Sequence, residues 1–414
     1  MPAGATSTIT TTGPRGGLRL LTMRLLLGGE EMSRASADAI AAAGSWGDLI
    51  TLGHRWKVLP GIEKRLLGLG VTLPGPERAD LDSRMSSAFV QSTLSIRAGL
   101  MALGALEAAK IPCAAFKGVA ALAFLHAGPR ARTLQDVDVL VHPEDAEAAV
   151  RVLEAAGFHR SFKEEWGTYL AFVRNSPGFA GNEAISLTDG RGGVVDLHWR
   201  LGVMDSHTLL GRVEHRNVLN RPLPVVSPGH AMLLTAHHAL RNDFVPDDIA
   251  RDVCDFAAWT ERLGDSGPSE SIGAAAEEWG LQQTCLALAT IAAELRGAPC
   301  EVTGNASVRE RAGADRLAAL YFHQLQDGAW STDLTYLASP RPLLQILAGV
   351  RSGWKQYRAS MQRMEALNGE PSPTLATRVG RLLRAATHLS PRQWRQLRAL
   401  AKAKDGVAAV RVAR

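Results

Sequence analysis

Cysteine is scarce and scattered: Cys113, Cys254, Cys285 and Cys300 are the only four in 414 residues, and no two have C-x-x-C spacing. That excludes a disulfide framework and a zinc-ribbon type of site, both of which need closer, patterned cysteines. The four read as buried free thiols of a cytoplasmic protein. Long apolar runs are also missing. LLTMRLLLGG is broken by Arg24, and no stretch reads as the roughly 18 or more apolar residues of a membrane span. No internal repeat or long low-complexity tract is present. The opening MPAGATSTITTTGPRGG lacks a cleavage site after an apolar region, so it does not read as a secretory signal. Residues 1–31 are expected to form a disordered leader, with Met23 and Met32 as alternative starts.

What is present is the composition of a globular protein with a sizeable core: 46% apolar and 21% charged residues, in a length that suits two or three domains. The net charge of +5 is unevenly spread. Residues 371–414 hold ten Lys or Arg and one acid, a charge of +9, so the remainder carries 5 − 9 = −4. Arg378, Arg381 and Arg384, then Arg392, Arg395 and Arg398, form stripes on helix faces. They are read as a solvated surface or as the seat of an anionic partner such as RNA, a membrane surface or an acidic protein.

Apolar spacing of three and four residues predicts a helical region over 32–110, punctuated by Pro60, Pro74 and Pro76. A mixed segment, 111–205, follows. IPCAAFKG reads as a strand ending in a turn, VAALAFLHAG as a short helix, and Leu134–Val141 as a strand. PEDAEAAVRVLEAAG reads as a helix opened by Pro143 and stopped at Gly157. AISLTD and VVDLHW flank a GRGG turn, which signals a hairpin. Helical regions are expected over 206–300 and 301–370, then a basic helical tail over 371–414.

The chemistry lies in LQDVDVLVHP and GGVVDLHWRL. Both alternate, so each predicts a strand whose successive side chains point to opposite faces. Asp136 and Asp138 then project together, and Asp196 shares a face with His198. If the strands are neighbours, three carboxylates converge. Such a cluster repels itself, and at least one pKa must rise unless a cation neutralises it. Hard oxygen donors suit magnesium, so the pattern points to metal-dependent phosphate chemistry. Lys117-Gly118 falls at a strand-to-helix turn, where free backbone N–H groups can cradle phosphate. Arg132 lies four residues before Asp136. His198 reads as a residue that orients a carboxylate, or as packing. His237 and His238, adjacent on a helix, face different ways, so at most one can enter the site. Asp255 reads as an anchor holding its helix on the catalytic segment.

The run F-K-G-V-A-A-L, then R-T-L-Q-D-V-D-V-L-V, the helix ending L-E-A-A-G-F, and V-D-L-H-W resemble the nucleotidyltransferase fold. More closely they resemble the bacterial uncharacterised nucleotidyltransferases, also called type 5. The closest similarity covers residues 111–201, and a weaker one reaches the flanking helices. The resemblance implies an α+β fold, with a small mixed β-sheet core embedded in mainly helical N- and C-terminal regions. It implies that Asp136, Asp138 and Asp196 hold two Mg2+ ions (or Mn2+), and that an NTP such as ATP is the co-substrate. Lys117, Gly118 and Arg132 would meet its phosphates. The acceptor implied is an unidentified hydroxyl-bearing small molecule, peptide, protein or RNA. One departure stands out: the turn reads Lys117-Gly118-Val119 where such enzymes commonly carry Gly-Ser or Gly-Gly, and Gly118 precedes Asp136 by 18 residues, a longer interval than usual. The alternatives are a related phosphotransferase and a catalytically silent nucleotide-binding regulator.

Overall fold

The computed structural model describes residues 14–300 and 308–327, apart from 127, 161–164, 176–181, 203, 243 and 265–269. The arginine stripes of the basic tail lie outside the described residues.

The helical N-terminal region forms as expected: α2 (Glu30–Ala42), α3 (Trp46–Arg55), α4 (Leu59–Gly68) and α5 (Gly75–Ala108). It begins earlier than expected, however. Residues 14–27, read as part of a disordered leader, form helix α1 (Pro14–Leu27). The reason is burial: Leu20, Met23 and Leu25 are each at most 2% exposed and belong to the core. Their apolar spacing outweighs the Thr- and Gly-rich composition around them.

The catalytic segment contributes β1 (Cys113–Ala115), α6 (Gly118–Leu125), β2 (Val137–Val141), α7 (Ala146–Ala155), β3 (His159–Arg160), α8 (Trp166–Asn175), β4 (Asn182–Thr188) and β5 (Val194–Leu201). Strand β2 starts at Val137, so Asp136 stands at its entrance and not inside it. Helix α7 starts at Ala146, after a turn containing Pro143, and Gly157 ends its C-terminal turn at φ 90°. The β4–β5 hairpin closes as the GRGG signal predicts, with Asp189 accepting from the N–H groups of Arg191 and Gly193.

The sheet is larger than the sequence suggests. Residues 206–300, expected to be helical, open with a short helix α9 (Ser206–Leu210) and then a hairpin, β6 (Val213–Val218) and β7 (Arg221–Val226). Its two-residue turn, Leu219-Asn220, has both φ values positive, at 50° and 61°, as the hairpin geometry demands. Pro222 and Pro224 hide the strand signal, since proline rarely sits in a paired strand. The described strands form one mixed seven-stranded sheet in the order β3-β4-β5-β2-β1-β7-β6. Helices α10 (Pro228–Arg241), α11 (Pro246–Gly264), α12 (Glu270–Glu278), α13 (Gln282–Arg296) and α14 (Val308–Asp327) complete the described chain.

Strand β2 is central and buried along its length, with α5 and α6 both packed against it. Helix α5 passes close beneath it at Gly99, where an added Cβ would lie 2.7 Å from Val137. By length and composition the 34-residue α5 is apolar enough to cross a membrane, with 44% of its most apolar window buried. Ile96, Ala98, Ala102, Leu103 and Leu106 of α5 are in the core, and the helix packs along β1, β2, β5 and β7, so it backs the sheet.

Candidate active site

The parallel pairing of β2 with β5 sets Asp138 opposite Asp196 and Leu140 opposite His198. The alternation that buries Val137, Val139, Val195 and Leu197 therefore turns Asp138, Asp196 and His198 to one shared face. The ligand atoms of these three residues all lie within 4.8 Å of one another. Asp136, at the mouth of β2, joins them electrostatically. Burial raises its pKa, and so do the neighbouring Asp138 and Asp196 charges, against a weaker pull from Lys117 and Lys57.

Asp138 escapes that fate because it is heavily partnered. Burial alone would raise its pKa, but Lys117 and His198 together hold it well below the usual carboxylate range. Lys117 Nζ lies 2.5 Å from its Oδ1, and His198 Nε2 lies 3.0 Å from the same oxygen. Burial, then the Lys117 charge, lowers the His198 pKa. The neutral imidazole donates from Nε2 to the carboxylate, leaving Nδ1 buried without a partner. The Phe116 ring meets the His198 ring edge-on at 5.0 Å and lies 5.2 Å from Lys117 Nζ. Asp196 accepts a hydrogen bond from Ser186 Oγ, supplied by β4 across the hairpin.

The Lys117-Gly118 turn divides its labour differently from a simple glycine turn. The residue with positive φ is Lys117, at φ 47° and ψ −115°, a strained conformation costing about 1–3 kcal/mol. Gly118 opens α6, and its lack of a side chain serves close packing: a Cβ there would come within 2.5 Å of Leu134 Cδ2, on the loop leading to Asp136. The strain points the lysine back onto Asp138 and frees the first backbone N–H groups of α6, as a phosphate-binding turn requires.

Arg132 is paired within the protein. Its side chain is buried, and its Nη2 lies 2.6 Å from Asp255 Oδ2 on α11, itself buried. Asp255 thus joins α11 to the loop before β2, as its anchoring role requires. Of the two adjacent histidines, His238 pairs with Asp252 at 2.6 Å. His237 faces Gly202 and feels Lys117; burial first, then Arg241, His238 and Lys117, takes its pKa down to about 4.

Sequence reading missed two site residues. Ser186 gives no signal beyond its place opposite Asp196 in the hairpin. Lys57, which ends α3, has φ 59°, and its carbonyl accepts from Thr133 Oγ1 at 3.1 Å. Burial lowers its pKa, then Arg251, while Asp136 pulls it up. Lys57 lines a cleft of about 300 Å3 shared with His54, Ser87, Gln91, Thr133 and Gln135, the last of these next to Asp136 in the chain. Among the described residues, no carboxylate lines this cleft.

Two carboxylates on paired strands and a third at the mouth of β2, beside a lysine-bearing strand-to-helix turn, have the form of a phosphate-transfer site, in which negative charge must be held and then redistributed. Residues 42–297, more than half of the chain, match the family described as "Uncharacterised nucleotidyltransferase". The chain belongs to that family and is a nucleotidyltransferase. Among solved structures, the solution structure of the antibiotic-resistance factor ANT(2'')-Ia is similar, at 13% identity and a TM-score of 0.32, over 47% of this chain and 96% of that one. A likeness of that size bears on neither substrate nor mechanism. No curated protein matches the chain.

Proposed function

We propose that this enzyme transfers a nucleotidyl group from an NTP to a hydroxyl-bearing acceptor in a Mg2+-dependent reaction. The observation that carries the reading is the register pairing of Asp138 with Asp196, with Asp136 beside them and its pKa raised by burial and by their charge. The donor set fits a hard divalent cation: carboxylate oxygens dominate it, and the local surplus of negative charge exceeds what Lys117 alone offsets. Asp136, Asp138 and Asp196 would hold such ions, which when bound neutralise phosphate charge and lower the pKa of the attacking hydroxyl.

The chain's own residues divide the remaining work. Lys117 sits on Asp138, and its ammonium and the N–H groups at the start of α6 would meet the phosphate oxygens of a bound NTP. His198 fixes the rotamer of Asp138 from one side, and Ser186 fixes Asp196 from the other. Arg132, locked to Asp255, holds the loop that presents Asp136. The cleft at Lys57, bordered by Thr133, Leu134 and Gln135 just before Asp136, seats the acceptor. The protein acts from the cytoplasm on soluble nucleotide.

The test uses purified protein with NTP labelled at the α- or the γ-position, with Mg2+ or with EDTA. Release of unlabelled pyrophosphate from the α-labelled NTP, stopped by EDTA and by Asp138→Asn, is the expected result. Movement of the γ-label alone would establish a kinase instead. Binding without turnover, over a broad panel of hydroxyl acceptors, would establish a silent regulator.

A further inference from the structure

At the other end of β2 lies a second group of ligand-type side chains that nucleotidyl transfer does not use. His142 follows Val141 directly and is held by Pro143, Glu144 comes next, and His207 is the second residue of α9. Their ligand atoms all lie within 4.8 Å of one another. The His142 and His207 rings stack at 4.1 Å and 25°, and His207 Nε2 lies 3.5 Å from Glu144 Oε1. His142 Nδ1 is buried and has no hydrogen-bond partner. The backbone beneath His207 is fixed, because Asp205 accepts from the N–H groups of His207 and Thr208.

We propose that His142, Glu144 and His207 form a binding site for a transition-metal dication, zinc above all. Two imidazoles and a carboxylate are the ligand set zinc takes when a fourth position is left to water. Magnesium prefers an all-oxygen shell and does not compete well for imidazole. Two nitrogens on one zinc ion lie at most about 4.2 Å apart, given Zn–N bonds of about 2.0–2.1 Å. The present cluster therefore needs a shift of less than about 1 Å per ligand. Glu144 and His207, each with a side chain 59% exposed, have the freedom to make it by turning their stacked and edge contacts into convergent ones.

The site is separate from the carboxylates. His142 lies four positions on from Asp138, just past the end of β2, a distance of about 13 Å along an extended chain. An ion here ties the turn after β2 to α9, which packs beside β2 and β5. Zinc would thus stiffen the floor of the catalytic sheet without entering the chemistry.

The experiment is calorimetric titration of zinc chloride into the metal-stripped full chain at pH 7, in buffer already holding saturating magnesium. One zinc equivalent is expected, with a rise in melting temperature. His207→Ala and Glu144→Gln alter exposed side chains and leave the fold intact. Each should weaken zinc binding by more than about a hundredfold, beyond the roughly 10–100-fold that loss of an outer-shell partner costs, while Asp138→Asn leaves it unchanged. Cobalt in place of zinc should give a visible absorption of low-coordinate type that His207→Ala abolishes. Zinc affinity equal in wild type, His207→Ala and Glu144→Gln would overturn the proposal. So would zinc binding lost in Asp138→Asn alone, which would place the ion on the catalytic carboxylates, or no zinc binding at all.

Discussion

Replacing Asp255 by Asn separates a structural Arg132 from one that reads the triphosphate. The two side chains meet at 2.6 Å, and each residue is 6% exposed. Arg132 Nε already lacks a partner, so Asp255 supplies the guanidinium's charge compensation. His126, whose Nε2 lies 3.8 Å from Asp255 Oδ1, adds a weaker contact. Removing the carboxylate charge leaves a buried cation uncompensated, at a cost of about 3–5 kcal/mol. Arg132→Met in the same background removes that orphan charge, so the double variant should recover most of the loss. Urea denaturation of the two single variants and the double variant gives this coupling directly. The pair also has a pH signature. Burial works to raise the Asp255 pKa, but Arg132 and His126 prevail and lower it. Its stabilisation is therefore present above the unfolded value of about 3.9 and is lost as pH falls through the lower folded value. Asp255→Asn should accordingly be most destabilising at neutral pH, its deficit shrinking in strong acid. If Asp255→Asn is as stable as the wild type while Arg132→Met loses NTP affinity, Arg132 faces the nucleotide and this reasoning is wrong.

The remaining predictions concern the site itself. Asp136 has a raised pKa, so it favours the fold when protonated, below about 3.9, and that contribution is lost as pH rises through its folded value. In metal-free buffer, Asp136→Asn should therefore raise the melting temperature at pH 7 but not at pH 3, and should abolish turnover when Mg2+ is added; a lower melting temperature at pH 7 would refute the repulsion. Lys117→Ala and Lys117→Gly should both weaken NTP binding by calorimetry, with the glycine variant the more stable by about 1 kcal/mol because φ 47° suits it. Equal stability would show that the turn is unstrained. Lys57→Ala should raise the KM for the acceptor more than that for the NTP, and an effect confined to the NTP would move the cleft's occupant to the nucleotide.

Much of this protein is written along the chain. The alternation in DVDVLV and VVDLHW fixes which side chains share a face, since a period of two leaves no choice once the valines are buried. The GRGG turn between two such strands gives the β4–β5 hairpin, and three- and four-residue spacing gives α2 to α5. The family motif, and with it the class of reaction, is local as well: Lys117, Asp136, Asp138 and Asp196 fall in short contiguous runs. The tertiary structure decided what distance in sequence conceals. Parallel pairing set Asp138 against Asp196 in register, a match that neither strand encodes alone. Burial made α1 a core helix although its composition reads as a leader, because Leu20, Met23 and Leu25 find partners far along the chain. The β6–β7 hairpin formed despite two prolines because β7 could pair beside β1. Arg132 and Asp255, 123 residues apart, met because a buried guanidinium must find a buried carboxylate. Lys57 entered the site from a helix end whose sequence carries no phosphate-binding signal. Local pattern sets the direction in which a side chain points, whereas only packing sets what it meets there.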